Sequence, residues 1–202
     1  MRIAFVLIAA CAATAAQASS PWVDDKGRQM TMQMPGDSQT VFRHNGHGPA
    51  AAAGLFKKVC LDTGLARAAA GAAAEASGWG FAYQPVIVPF KDPVDIGGWY
   101  TIDAAVNVGA GMFFNKHNQC NLIVAPADQP SLATMLEAMS AAIGTSPANA
   151  ADAFDKRGKP RKYFAPEWEV AIGGGSPARI SIMPVSGAAG SYQLTALQKV
   201  SK

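Results

Sequence analysis

Histidine and cysteine are scarce in this 202-residue chain, three of each, and that scarcity removes most chemistries at the outset. The histidines are His44, His47 and His117. A Ser-His-Asp triad would have to recruit one of them. There is no G-x-S-x-G, and the serines near glycines, Ser176, Ser186 and Ser191, fall in expected hairpin turns. No H-E-x-x-H, C-x-x-C or histidine-rich tract provides the ligand spacing of a zinc site. The glycine-rich stretches do not follow a strand and open a helix, so neither a phosphate-binding loop nor a dinucleotide fingerprint is present. Charge is thin too: 15% of residues are charged and the net charge is +3, too little to steer a polyanion such as nucleic acid. Beyond the N-terminus, no apolar run approaches the roughly 20 residues that a membrane span needs.

What is present begins with an export pattern. Arg2 precedes an apolar run from Ile3 to Ala16, and Ala16-Gln17-Ala18 forms an A-x-A cleavage site. Residues 1–18 are expected to be a removed signal peptide and the remainder periplasmic or secreted. An alternative reads Ile8-Ala9-Ala10-Cys11 as a lipobox that leaves Cys11 lipidated, although the apolar segment before it is short. Loss of the leader leaves Cys60 and Cys120, an even pair in an oxidising compartment, and predicts a disulfide. Closing a loop of about 60 residues removes about 4 kcal/mol of unfolded-state entropy in the loop-closure model. Two separately buried thiols are the alternative.

Of the hydrophobic residues, 40 are alanine, so large apolar side chains suffice for one core and not for two. The expected organisation is an extended lead-in over residues 19–49 followed by a single domain over 50–202. Leu55, Phe56, Val59 and Cys60 form one apolar helical stripe, and a second helix over 65–76 places Leu65, Ala69, Ala72 and Ala76 on one face, with Gly78 at its C-terminal cap. Strands are expected over 83–88, 99–108, 112–115 and 120–125, with Lys116 to Gln119 as a turn. A helix over 131–143 follows, started by Pro130 and Ser131 and stopped by Gly144. Strands over 168–172, 178–183 and 192–199 close the chain. Segregated helices and consecutive strands predict an α+β domain: an antiparallel sheet of about six or seven strands with two or three helices packed on it.

Four groups of residues invite functional readings. Met30, Met32 and Met34 alternate as on a strand, and thioethers with the nearby His44 and His47 would suit copper(I), which an exported protein meets. The commoner meaning of period-two methionines is one face of a strand packed on a core, and of two loop histidines, solvated side chains. No other cofactor is expected. Lys156, Arg157, Lys159, Arg161 and Lys162 form a basic run beside Tyr163 and Phe164, able to touch an anionic surface or to sit as a solvated loop. Glu167 and Glu169 flank Trp168, but two carboxylates on one strand cannot straddle a sugar ring as a glycosidase pair must.

The run Phe56-Lys57-Lys58-Val59-Cys60-Leu61-Asp62-Thr63, the alanine-rich helix after it and then Gly78-Trp79 resemble a pattern in small uncharacterised exported proteins of Gram-negative bacteria, over about a quarter of the chain. The resemblance implies an exported one-domain protein with Cys60 in a structural position, and it carries no activity. With no catalytic constellation in view, the expectation is a non-enzymatic accessory or binding protein whose partner is another envelope protein or surface component. The alternatives are copper binding through the methionine and histidine segment, and a hydrolase or hydrolase inhibitor of unusual geometry.

Overall fold

From Ala104 to Lys199 the chain repeatedly alternates apolar residues with amides and hydroxyls, and each of these runs forms a strand of one antiparallel sheet. The computed structural model describes residues 47–199 except 86, 89–93, 96, 102–103, 111–116, 160, 162–163, 173–176 and 186–187, together with the backbone of 21–23 and 29–31. The chain divides into two compact units, Met1–Thr40 and Val41–Lys202.

In the first unit, β1 (Pro21–Val23) pairs antiparallel with β2 (Gln29–Thr31), Trp22 opposite Met30. The expected methionine strand is thus present at Met30; Met32 and Met34 lie outside the described residues.

The second unit is a two-layer α+β domain. Its seven-stranded sheet runs β3 (Ala82–Gln84), β6 (Gly98–Tyr100), β7 (Ala104–Ala110), β8 (His117–Val124), β11 (Tyr192–Lys199), β10 (Ala178–Pro184), β9 (Glu167–Val170), all neighbours antiparallel. A separate two-stranded ribbon joins β4 (Ile87–Val88) to β5 (Val94–Asp95). Three helices, α1 (Pro49–Phe56), α2 (Arg67–Glu75) and α3 (Leu132–Ile143), share one core with the inward face of the sheet: Val106, Cys120, Leu122, Ile180, Ile182 and Leu194 are buried with Phe56, Met135 and Met139. The expected fold class is the one observed.

Local chemistry explains the elements. Pro49 occupies the first turn of α1, where its missing N–H costs nothing. At Lys57–Leu61 the helix widens into a π turn, with Asp62 N–H donating to Lys57 O at 2.9 Å. The pairs Leu55–Cys60 and Phe56–Leu61, each five apart, are buried together by that wider turn. Cys60 is joined from it to Cys120 in the middle of β8, Cα to Cα 5.6 Å, between Val108 of β7 and Ala196 of β11. The expected disulfide is therefore present. Helix α3 starts as the sequence indicates: the Ser131 side chain accepts from Thr134 N–H, and Gly144, at φ 88°, ends it in the left-handed conformation.

Several boundaries differ from the expectation. The stretch expected as one strand over 99–108 is a hairpin, β6 to β7, with Thr101 N–H donating to Ala104 O at 2.9 Å and Trp99 opposite Val106. Threonine and isoleucine favour strands, so pattern alone runs through this turn. The expected strand over 83–88 likewise splits between β3 of the large sheet and β4 of the ribbon. His117 to Gln119, expected as a turn, already belong to β8, where pairing with Lys199, Gln198 and Leu197 overrides weak strand propensity. The expected strand over 112–115 lies outside the described residues. On α2 the buried face is Ala70, Gly71 and Ala74; Ala69, Ala72 and Ala76 are exposed, because a helix made almost wholly of alanine has no periodicity from which to read a face.

Candidate binding surface

Side chains alternate across a strand, so burying Cys120, Leu122 and Val124 under the helices turns Gln119, Asn121 and Ile123 to the opposite face. The register carries this across the sheet. One row runs Asn107, Asn121, Thr195, Ser181, Glu167; the next runs Tyr100, Ala105, Ile123, Gln193, Met183. No described helix covers this face: most of its side chains are half-buried by their neighbours and Met183 is 41% exposed.

The face is partly knitted together. Asn121 Oδ1 accepts from Thr195 Oγ1 at 2.8 Å and from Gln119 Nε2 at 2.9 Å. Thr195 Oγ1 accepts from Gln193 Nε2 at 3.3 Å, and the Tyr100 hydroxyl donates to Asn107 Oδ1 at 3.2 Å. These bonds hold the side chains in place, while Asn107 Nδ2, Asn121 Nδ2, Gln119 Oε1 and Gln193 Oε1 carry no bond among the described residues. Fixed donors and acceptors interspersed with Ile123, Leu197 and Met183 suit a macromolecular contact. The spacing Gln119-x-Asn121 and Gln193-x-Thr195 was the signal in the sequence for this face; that the two pairs lie side by side is a fact of register.

At the β3 edge, on the helix side, Arg67 forms a second polar cluster that the sequence did not suggest. Its Nη1 donates to Val108 O at 2.8 Å, and its Nη2 donates to Gly97 O at 2.8 Å and to the Tyr83 hydroxyl at 2.9 Å. The guanidinium lies 5.5 Å from the Trp99 ring and 5.8 Å from that of Tyr83. Tyr83 in turn donates to Asp95 Oδ2, and Asp95 Oδ1 accepts from Gly97 N–H at 2.8 Å. Two of the three bonds made by Arg67 go to backbone carbonyls, so it pins the start of α2 to β7 and to the entry of β6. Its role is architectural.

The sequence-derived candidates are dispersed. His47 is stacked on Trp79, ring centroids 3.8 Å apart and planes within 9°, and its carbonyl accepts from Ala127 N–H at 2.7 Å. It is packed, where a solvated loop residue was the expectation. Met32, Met34 and His44 lie outside the described residues, Met30 is described only by its backbone, and among the described residues no group of three His, Cys, Asp or Glu could hold a metal. Lys156, Arg157, Lys159 and Arg161 are exposed on one turn, with Lys162 outside the described residues. Trp168 is buried, its Nε1 donating to Thr145 O at 2.9 Å, and Glu169 is exposed beside it, as expected.

Three tyrosines have hydroxyls that resist ionisation. Burial raises Tyr83, with the Asp95 carboxylate adding to it; burial also raises Tyr100 and Tyr192, the latter donating to Pro130 O at 2.6 Å. Each folded value lies above the unfolded one, so their contribution is fully present below about pH 10 and is lost as pH rises through the folded values. A spectrophotometric titration of the folded protein is expected to run later than that of the protein in denaturant, with denaturant resistance falling above about pH 10. Superimposable curves would contradict this.

The fold defines a class, a disulfide-linked two-layer α+β domain with one face of its sheet free of helices among the described residues. No protein-family model, curated protein or solved structure matches the chain.

Proposed function

We propose that this is an exported accessory protein of a bacterial envelope that binds another envelope protein through the helix-free face of its sheet and performs no catalysis of its own. The observation that carries the reading is the row Asn107, Asn121, Thr195, Ser181 and its neighbours Ile123, Gln193 and Met183: a face that no described helix covers, whose amides are fixed by one hydrogen-bonding atom and keep the other without a bond among the described residues. A disulfide suits the oxidising compartment that the leader pattern implies. No helix among the described residues is long and apolar enough to cross a membrane, in keeping with release of the chain after export.

The test places a photo-crosslinking amino acid at Ile123 or Leu197 and, as control, at Glu137 on the exposed side of α3, in the cell that makes the protein. Adducts of one defined mass are expected from the two sheet positions and not from Glu137, and Asn121→Lys, which sets a long cation among the amides, is expected to abolish them. Equal labelling from all three positions, no labelling, or labelling indifferent to Asn121→Lys would defeat the reading. Intact mass of the same preparation checks export, with Ser19 expected as the first residue.

A further inference from the structure

The basic segment is a built turn. Asp155 Oδ1 accepts from Arg157 N–H at 2.8 Å and Lys159 N–H at 2.9 Å, Asp155 N–H donates to Lys159 O at 2.8 Å, and Gly158 N–H donates to Asp155 O at 2.9 Å. Gly158, at φ 73°, supplies the left-handed residue that closes it. The base is fastened to the domain by Arg161 N–H donating to Ala153 O at 2.8 Å and by Arg161 Nε to Phe154 O at 3.2 Å, with Ala153 fully buried. Lys156, Arg157 and Lys159 project from it, all exposed, and no described side chain pairs with them. The one carboxylate inside the turn, Asp155, is exposed and is tied through Oδ1 to two backbone amides.

We propose that this turn docks reversibly on a membrane surface rich in anionic phospholipid, the headgroup phosphates meeting Lys156, Arg157, Lys159 and Arg161. Three observations favour that occupant. The cations sit on a projecting turn whose residues 155–159 are all exposed, which cannot enclose a single small anion but can meet a plane of them. Asp155, Lys156, Arg157, Gly158 and Lys159 include no apolar side chain, whereas the buried centre of a protein interface is apolar and poor in lysine. The turn is already folded, so binding orders side chains and little backbone. The inference is independent of the sheet-face reading, since the two use different residues.

The full exported chain is mixed with vesicles made of equal parts phosphatidylglycerol and phosphatidylcholine, and with vesicles of phosphatidylcholine alone. Binding is expected to the first and not the second, and to fall steeply with added salt. Replacing Lys156, Arg157 and Lys159 by serine, with Asp155, Gly158 and Arg161 kept so that the turn persists, is expected to weaken partitioning by about 100-fold, near fivefold per cation. An unchanged denaturation midpoint shows that this variant still folds. Binding that survives the triple substitution, equal binding to both vesicles, or no binding would overturn the proposal. So would a crosslinker at Asp152 that captures a protein while vesicles go unbound, which would assign the turn to a protein partner.

Discussion

Replacing Cys60 and Cys120 together by alanine is expected to lower the unfolding free energy by about 4 kcal/mol. The cross-link spans 60 residues of sequence and joins the π turn after α1 to the middle of β8. All of α2, the ribbon and strands β3, β6 and β7 lie within that loop, so an unlinked chain must close it by packing alone. Alanine is the right replacement, because both cysteines are fully buried and a serine hydroxyl would be left without water. The readout is the urea midpoint of the double variant against the oxidised protein, or a melting temperature lower by about 8–16 °C. A loss below about 1 kcal/mol would mean that the unfolded chain is already constrained without the bond.

The second large effect is expected at Gly71→Ala, where propensity and packing oppose each other. Alanine in a helix interior is favoured over glycine by about 1 kcal/mol. Here, however, a Cβ on residue 71 would overlap the Trp99 ring, which is fixed against this same face of α2 by a hydrogen bond from its Nε1 to Glu75 at 2.9 Å and by the Arg67 guanidinium. A rigid indole held in this way cannot yield the missing space without moving α2 off β6 and β7. Overpacking of this kind costs about 1–3 kcal/mol beyond the helix gain, so the net expectation is destabilisation of about 2 kcal/mol with a changed tryptophan emission. A double-mutant cycle isolates the cause. In a Trp99→Ala background the clash is gone and Gly71→Ala is expected to stabilise. Destabilisation of equal size in both backgrounds would show that some other neighbour excludes the Cβ.

This glycine shows where sequence reasoning stops. An alanine-rich helix announces close packing, and α2 does pack closely, but the side it presents depends on which residue faces Trp99, and Trp99 arrives from a hairpin that strand propensity hid. The same holds for Arg67. In the sequence it is one cation among alanines. Its bonds reach residues 16, 30 and 41 positions away, and no local pattern encodes them. The amides of the sheet face lie between these cases: period-two alternation over 120–125 and 192–199 shows that Asn121, Gln193 and Thr195 face away from the core, while Gln119, expected in a turn, joins them only through pairing with Leu197, and the register that sets Asn107, Asn121 and Thr195 in one row is likewise decided by pairing.

The sequence by itself determined the α+β class, because segregated helical and alternating patterns allow few other solutions. It also made Cys60 and Cys120 the expected pair once Cys11 is set aside, which the structure bears out, and it determined the limits of α3, whose capping residues act within one turn. Tertiary structure alone decided the strand order, the face of α2, the split of 99–108 into a hairpin, the stacking of His47 on Trp79 and the row of amides on the open face. The physical reason is range. Caps, turns and periodicity are set by neighbours a few residues apart, whereas a face becomes a surface only when strands distant in sequence are brought into register, and the energy that does so comes from burying the other side of the sheet.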